Sequence, residues 1–240
     1  GAKSSVVSSL NYSKCYYKGP SYGDMNIEYV AVNGIEQEKN IVGNDEDILQ
    51  VDFTDTLKPD NKVSIEINFT VSLPNINHRF GYGEDTINIA NFYPIACIYE
   101  DGKFNISSYH HNGDPFYSEV ANYHITLHTP SKYRVASTGN VSVTNTEDKT
   151  DTYKINALAV RDFAIVLSDK FEVVSGKVNN TNVNYYYYKN QYPSECLKAS
   201  IQSVETFNKL FGKYPYDVLN VVETNFVHGD RKSTRLNSSH

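Results

Sequence analysis

The sequence has 240 residues, of which 28 are Asp or Glu and 22 are Lys or Arg, so its formal net charge is −6. Nucleic-acid binding requires a basic surface, and the acidic balance therefore predicts that nucleic acid is not a partner. No apolar run approaches the ~18 residues that a membrane-spanning helix needs.

Strands dominate the predicted elements in the first half of the chain. The clearest strand is 63–73, where apolar and polar residues alternate with a period of two. Such alternation places one face in a core and the other in water, as in an antiparallel sheet with one wet face. The same pattern predicts strands at 27–32 and 49–53. Residues 74–119, with several Gly, Pro and Asn, are predicted to be long loops with short strands.

Strands continue in the second half, separated by turn residues. They are predicted at 121–129, 141–146, 152–158, 161–168, 171–175 and 182–189. Arg161 and Asp162 are expected to face opposite sides of a strand, so that one binds a neighbouring loop and the other is solvated. Tyr185 to Tyr188 are expected to form a plain aromatic strand with two buried and two exposed rings, rather than a stacking platform.

The pattern changes once, at 194–211, where the apolar residues have helical spacing. Ser194 is the predicted N-cap and Gly212 the predicted stop. A strand at 218–223 follows. The change from strands to a helix predicts a domain boundary near residue 190. We expect the apolar stripe of this helix to be covered by sequence beyond residue 229.

The histidines and cysteines form no recognisable catalytic or metal centre. His124 and His128 fall in a strand-like segment, about 13 Å apart at ~3.3 Å per residue, which is too far for one metal ion. We expect them to have surface or cross-strand polar roles, and His110 and His111 to lie in a polar loop. No His-Glu-x-x-His, phosphate-binding glycine loop or Gly-x-Ser-x-Gly motif occurs. Three widely spaced cysteines indicate free thiols: Cys15, Cys97 and Cys196.

Five stretches, in order along the chain, resemble the aminopeptidase N-like zinc metallopeptidases, the family that includes leukotriene A-four hydrolase. They begin at Asn91 (NFYPIA), Asp114 (DPFYSEVANYHIT), Lys132 (KYRVASTGN), Val160 (VRDFAIVLSDKF) and Phe207 (FNKLFGKYPYDVLNVVET). The resemblance covers residues 88–229, while residues 1–87 match mainly in pattern.

This resemblance implies a mainly β fold. Residues 1–190 would be an antiparallel, multi-sheet N-terminal domain of sandwich or saddle-like shape, and residues 191–229 the first helix and strand of an α/β catalytic domain. In the family, the strand at 218–223 leads into a Gly-x-Met-Glu motif that holds the amino end of the substrate, and then into the zinc-binding helix. The implied activity is removal of N-terminal residues from peptides.

The implied cofactor is a zinc ion held by two His and a Glu of the parent protein, in the remainder of the catalytic domain, which this chain lacks. The implied partner is a peptide substrate. We expect this chain to wall one side of the active-site cleft, to bind no zinc itself and not to catalyse alone.

The family's N-terminal domain also places one Gln or Glu near the substrate's amino group, shortly before the Phe-Pro-type segment. Counting back from Pro94 leads to Asp85, with Asn88 and Asn91 as neighbouring alternatives. None of the three is Gln or Glu, so this position departs from the family pattern. These residues are the candidate substrate-binding residues.

The last eleven residues, from Asp230 to His240, match the translation of a widely used short-read sequencing adapter. We therefore expect residues 230–240 to be an artefactual tail and exclude them from fold reasoning. We also expect the natural sequence to stop at Gly229 as a piece of a larger protein.

Two other interpretations stay open. One is a non-catalytic aminopeptidase-like interaction module that has lost its metal site. The other is a carbohydrate-binding or adhesive β-sandwich with exposed tyrosines. The helix and the Phe-Gly-Lys-Tyr-Pro-Tyr segment disfavour the second, because a free-standing sandwich does not need them.

Overall fold

The structure, a computed structural model, describes residues 16, 18–19, 21–43, 46–53, 56–107 and 117–226. The predicted tail, the loop histidines His110 and His111, and Cys15 lie outside the described residues. Within the described residues, the chain is mainly β with one helix near its end, as the sequence predicts.

The strands in chain order are β1 (Asp24–Val32), β2 (Ile35–Glu36), β3 (Asn40–Val42), β4 (Ile48–Gln50), β5 (Ile65–Ser72), β6 (Phe80–Tyr82), β7 (Ile87–Ala90), β8 (Tyr99–Glu100), β9 (Lys103–Phe104), β10 (Ala121–Pro130), β11 (Arg134–Ser137), β12 (Asn140–Glu147), β13 (Thr150–Val160), β14 (Ala164–Ser168), β15 (Glu172–Val178), β16 (Thr181–Tyr187) and β17 (Val218–Val222). The helix α1 (Pro193–Phe211) lies between β16 and β17.

In the described part of the chain, the strands form two small hairpins and four larger sheets. The hairpins are β3-β4 and β8-β9, and the sheets have the orders β2-β1-β5, β10-β13-β12, β6-β7-β14-β11 and β15-β16-β17. Neighbouring strands are antiparallel apart from β16 and β17, which run parallel. A parallel pair requires a crossover connection, and α1 supplies it. The predicted class, an antiparallel multi-sheet fold followed by a helix and a strand, is confirmed.

The main core lies between the β10-β13-β12 and β6-β7-β14-β11 sheets. Alternate residues of β13 point into it: Tyr153, Ile155 and Ala157 are 6%, 0% and 2% exposed. They pack with Ile165 and Leu167 of β14. Burying an aliphatic side chain of this size contributes about 1.5–3 kcal/mol. The period-two alternation of these strands therefore identifies the side chains that hold the two sheets together.

A second, smaller core lies between α1 and the β15-β16-β17 sheet. Val178 and Val183 are 4% and 0% exposed and pack with Val204 of the helix. Leu197 and Ile201 of α1 pack against the same core. The expectation that sequence beyond residue 229 covers this stripe is wrong for these residues, because α1 folds back onto strands that precede it.

The C-terminal end of the α1 stripe stays exposed. Phe207, Leu210 and Phe211 are 58%, 66% and 81% exposed.

No helix in the described part of the chain is both long enough and apolar enough to cross a membrane.

The start of α1 differs from the prediction. Pro193 occupies the first helical turn, where its missing N–H leaves no helical hydrogen bond unmade. Tyr192 is the N-cap residue and makes no side-chain capping bond. Ser194 therefore lies inside the helix and is not the cap. Gly212 ends the helix as predicted, with φ of 98°.

Two predicted strands, 49–53 and 161–168, miss the expected bound by three residues at one end. The strand at 49–53 stops at Gln50, because its partner β3 offers only three residues for pairing. The strand at 161–168 begins at Ala164, so Arg161 and Asp162 lie in the connection after β13 and not in a strand. The Arg161 side chain donates a hydrogen bond to the carbonyl oxygen of Ser118, and Asp162 is exposed. The expectation that one of the two binds a neighbouring loop and the other is solvated is therefore right, although neither lies in a strand.

The four consecutive tyrosines do not alternate between two buried and two exposed rings. Tyr185 is 1% exposed, whereas Tyr186, Tyr187 and Tyr188 are all half-buried. The reason is that both faces of this sheet are covered. The helix lies on one face, and Phe171 contacts the ring of Tyr186 with centroids 5.9 Å apart.

Candidate functional site

The three candidate residues lie on or beside the β6–β7 hairpin. Asp85 is in the turn between the two strands, Asn88 belongs to β7, and Asn91 directly follows it. Asp85 and Asn88 are buried, with 7% and 1% exposure, and Asn91 is half-buried.

Two glycines allow other segments to approach this hairpin closely. A Cβ atom at Gly81 would lie 2.5 Å from the carbonyl oxygen of Ile76. A Cβ atom at Gly83 would overlap Nδ2 of Asn225. The absence of side chains at these positions is therefore what lets residues 74–77 and the segment after β17 pack against the hairpin.

Asp85 is bonded to two lysines. Its Oδ1 lies 2.8 Å from Nζ of Lys170, and its Oδ2 lies 2.6 Å from Nζ of Lys189. Burial opposes ionisation of this carboxyl, but the hydrogen bonds from Lys170 and Lys189 outweigh it and hold the pKa of Asp85 below its usual value. Both carboxylate oxygens of Asp85 are therefore already paired with cations, and a substrate ammonium group would have to compete with a lysine.

Asn88 is the most deeply buried of the three candidates. Its Nδ2 donates to the carbonyl oxygen of His78 at 3.1 Å and to Oδ1 of Asn225 at 3.3 Å. Its Oδ1 is buried and has no hydrogen-bond partner. A buried acceptor without a donor costs about 1–3 kcal/mol, which makes this oxygen a position where a ligand N–H or ammonium group would be stabilising.

Asn225 is the centre of the polar cluster around Asn88. Its Oδ1 also accepts a hydrogen bond from the Thr86 hydroxyl at 2.7 Å, and its Nδ2 donates to Oδ1 of Asn77 at 2.6 Å. The next residue, Phe226, stacks on the ring of His78 with centroids 6.1 Å apart. The segment after β17 is thus bound to the hairpin that carries the candidate residues.

Asn91 has a backbone conformation that suits its side chain type. Its φ is 52°, in the left-handed region that Asn tolerates better than most residues. Its Nδ2 is buried without a hydrogen-bond partner. Asn88 and Asn91 each keep one unpaired amide atom, an acceptor in the first and a donor in the second.

Glu223 is a residue of this region that the sequence did not indicate. Its Oε2 accepts hydrogen bonds from three consecutive backbone amides, those of Tyr188, Lys189 and Asn190, at 2.8, 3.1 and 3.2 Å. A single Glu after an apolar strand gives no signal of such a role, because its partners lie more than thirty positions earlier in the chain.

His124 and His128 have cross-strand roles, as predicted. Nδ1 of His124 lies 2.8 Å from Oδ1 of Asn156, and Nδ1 of His128 lies 2.9 Å from Oγ1 of Thr152. Both histidines are exposed on the β10–β13 pair. Of the cysteines, Cys97 and Cys196 lie in the described part of the chain, and both are free thiols.

Zinc is the metal that the resemblance implies. Among the described residues, no group of three or more His, Cys, Asp or Glu side chains could hold a metal ion. The residues present therefore do not fit a zinc site, and no step through zinc can be assigned to them.

A separate concave region lies beside β17. Its volume is about 650 Å³, and its walls come from β11, β13, β14 and residues 214–222. The Tyr216 hydroxyl donates to the carbonyl oxygen of Ala159 across this region at 2.9 Å. Asp85, Asn88 and Asn91 do not line it.

Comparison with known proteins gives a likeness in fold. No protein-family model matches the chain, and no curated protein sequence matches it. A solved M1 zinc metallopeptidase from Deinococcus radiodurans matches with a TM-score of 0.55 and 10% identity, over 85% of this chain and 49% of that chain. A mutant of the M1 zinc metallopeptidase from Deinococcus radiodurans, bound to a Tyr-Ser-Ala substrate, matches with a TM-score of 0.50 and 14% identity over the same shares.

The chain spans about half the length of these solved structures. At this level of identity the likeness establishes architecture and not activity. Over the aligned part, the chain has the fold of M1 zinc metallopeptidases.

Proposed function

We propose that this chain is part of a zinc-dependent aminopeptidase that removes N-terminal residues from peptides. Residues 1–190 would form the N-terminal β domain that walls the active-site cleft, and residues 191–229 the beginning of the catalytic domain. The division at residue 190 remains a prediction, since β17 pairs with β16 across it. The catalytic zinc and its general base would come from sequence that this chain does not contain.

One observation carries the proposal at the level of the site. In the resembling family, the sequence after this strand enters the motif that holds the substrate's amino end. Here the segment after β17 is bound to the β6–β7 hairpin through Asn225, which contacts Thr86 and Asn88. The candidate residues therefore lie next to the chain that leads towards that motif.

Among the candidates, Asn88 is the one we favour for contact with the substrate's amino group. Its unpaired Oδ1 is an acceptor, which suits an ammonium donor. Asp85 is already bonded to Lys170 and Lys189, so we assign it a role in holding the hairpin. Asn91 offers an unpaired donor, which suits a substrate carbonyl oxygen instead.

The alternatives differ in what they require. A non-catalytic interaction module would have the same fold without the zinc helix, so only the sequence after Gly229 separates it from the leading proposal. An adhesive sandwich would need exposed aromatic side chains, but of the four consecutive tyrosines Tyr185 is 1% exposed and the other three are half-buried. The four consecutive tyrosines therefore lend that alternative no support.

The decisive experiment is to recover the coding sequence beyond Gly229 from the source nucleic acid and to express the longer protein. We expect a His-Glu-x-x-His helix, hydrolysis of aminoacyl p-nitroanilides and loss of activity on chelation. The 240-residue chain serves as the control and is expected to be inactive. A continuation without the zinc motif would contradict the aminopeptidase proposal and support the interaction module.

A further inference from the structure

Two side chains bind the exit segment, residues 223–226, to two separate parts of the fold. Glu223 binds the backbone amides of residues 188–190, where β16 turns towards α1. Asn225, two positions later, binds Thr86 and Asn88 of the β6–β7 hairpin. The exit segment thus connects the junction before α1 with the candidate site.

The Glu223 contact is strong for a physical reason. Three N–H groups converge on one carboxylate oxygen, and charge-assisted hydrogen bonds of this kind are about twice as strong as neutral ones. The last of these amides, that of Asn190, lies three positions before the first residue of α1, Pro193. Tyr192 provides no side-chain cap, so Glu223, together with the Asp85–Lys189 pair, holds the residues that lead into the helix.

The Asn225 contact defines an orientation as well as a position. Nδ2 of Asn225 donates to Oδ1 of Asn77. The other end of the Asn225 amide, its Oδ1, therefore faces Thr86 and Asn88. That oxygen accepts from Nδ2 of Asn88, so the Asn88 amide keeps its own Oδ1 unpaired. Asn77 thus sets the orientation of the Asn225 amide, and Asn225 sets the orientation of the Asn88 amide, which leaves the oxygen of Asn88 without a donor.

We propose that Glu223 and Asn225 are positioning residues for the substrate's amino end. They hold the chain leaving β17 at a fixed distance and direction from the β6–β7 hairpin, and Asn225 also sets the orientation of Asn88. This inference rests on the proposed function, in which the sequence after Phe226 grips that amino end. Neither residue touches substrate, and both act through the backbone and the Asn88 amide.

Hydrogen exchange on the whole 240-residue chain tests the positioning itself. In Glu223→Ala, the amides of residues 188–190 should exchange at least about 10-fold faster, while the β13 amides keep their rates. In Asn225→Ala, faster exchange is expected in the β6–β7 hairpin. Thr224→Ala is the matched control, since it lies between the two positions and removes none of these hydrogen bonds.

If residues 188–190 exchange at the wild-type rate in Glu223→Ala, Glu223 is not a positioning residue. If the hairpin exchanges at the wild-type rate in Asn225→Ala, Asn225 is not one. Glu223→Gln and Asn225→Asp, which keep an acceptor oxygen, provide second variants if an alanine variant does not fold. The exchange rates in both variants should lie between those of the wild type and those of the corresponding alanine variant.

Kinetics of the longer protein tests the consequence for the substrate. Asn225→Ala should raise the KM for an aminoacyl p-nitroanilide at least about 5-fold, with a smaller fall in kcat, because a misplacement near 1 Å weakens contacts to the bound group. Asn225→Asp should recover most of the loss, since it keeps the acceptor for Thr86 and Asn88.

An unchanged KM in Asn225→Ala would overturn the positioning role in an active enzyme. A longer wild-type protein that cleaves no aminoacyl substrate would instead reject the proposed function. In that case the exchange rates decide alone whether Glu223 and Asn225 position the exit segment.

Discussion

Oδ2 of Asp85 lies 2.6 Å from Nζ of Lys189, although 104 positions separate the two residues in the sequence. Lys170 binds the other oxygen of the same carboxylate at 2.8 Å. One buried carboxylate thus joins the β6–β7 turn to the ends of β14 and β16. This contact and the Glu223 contact hold the junction before α1 from two sides.

Replacing Asp85 with Asn should destabilise the fold by about 1–3 kcal/mol, because a buried amide cannot accept charge-assisted bonds from both Lys170 and Lys189. Urea denaturation of Asp85→Asn measures this loss. Glu84→Gln, at the exposed neighbouring position, is the control and should stay within about 0.5 kcal/mol of wild type. Equal stability of the two variants would contradict the role of Asp85.

The same carboxylate predicts an acid-dependent stability. The pKa of Asp85 is below its usual value of 3.8 in the folded state, so the unfolded chain binds a proton more readily. The contribution of Asp85 is therefore complete above pH 3.8 and is lost as the pH falls through the lowered pKa. Denaturation at a series of pH values should show a shallower acid loss in Asp85→Asn than in wild type, and parallel curves would reject the prediction.

Gly81→Ala should be strongly destabilising, by about 2 kcal/mol or more, because a Cβ there cannot avoid a clash with backbone. The clash is with the carbonyl oxygen of Ile76 at 2.5 Å. Gly102→Ala is the matched control, since Gly102 also has a positive φ, 77°, but nothing lies within 4 Å of its Cβ position. If thermal unfolding shows that Gly81→Ala and Gly102→Ala lose the same stability, residues 74–77 do not pack closely on the hairpin.

Burial raises the pKa of Tyr185 to about 12, although the hydrogen bond from Asn190 opposes the shift. The folded state then keeps a proton that the unfolded chain loses near pH 10.0, so stability should fall as the pH rises from 10.0 towards 12. Tyr185→Phe should lessen this alkaline loss, as measured by denaturation at pH 9 to 11. Tyr22→Phe, at a ring that is 75% exposed, should follow the wild-type pH dependence.

Val204→Ala should cost about 1–3 kcal/mol, because it removes two buried methyl groups and leaves a cavity between α1 and its sheet. Val204 is 4% exposed, whereas Leu210 on the same helix is 66% exposed. Leu210→Ala should therefore change the free energy of unfolding by no more than about 0.5 kcal/mol. A larger loss in Leu210→Ala than in Val204→Ala would contradict the packing of α1 on its sheet through Val204.

The sequence by itself determined the local elements. The period-two alternation in β5, β10 and β13 depends on which side chains face water, and the helical spacing in α1 depends on the same distinction. Both patterns are local, so they can be recognised without knowing which strand or helix packs against the element. The ends of elements are not local in this sense. Arg161 lies before β14, which begins at Ala164, and Ser194 lies inside α1, which begins at Pro193.

Only the tertiary structure decided the long-range partners. Nothing local distinguishes Glu223 from a solvated glutamate, or Asn225 from a loop asparagine, because their hydrogen bonds reach residues 33 to 148 positions away. The parallel pairing of β16 with β17 has the same origin, because it depends on α1 packing against β15 and β16, far from β17 in the local sequence pattern. Composition and periodicity report which side chains are buried, whereas the fold's topology determines which buried groups meet.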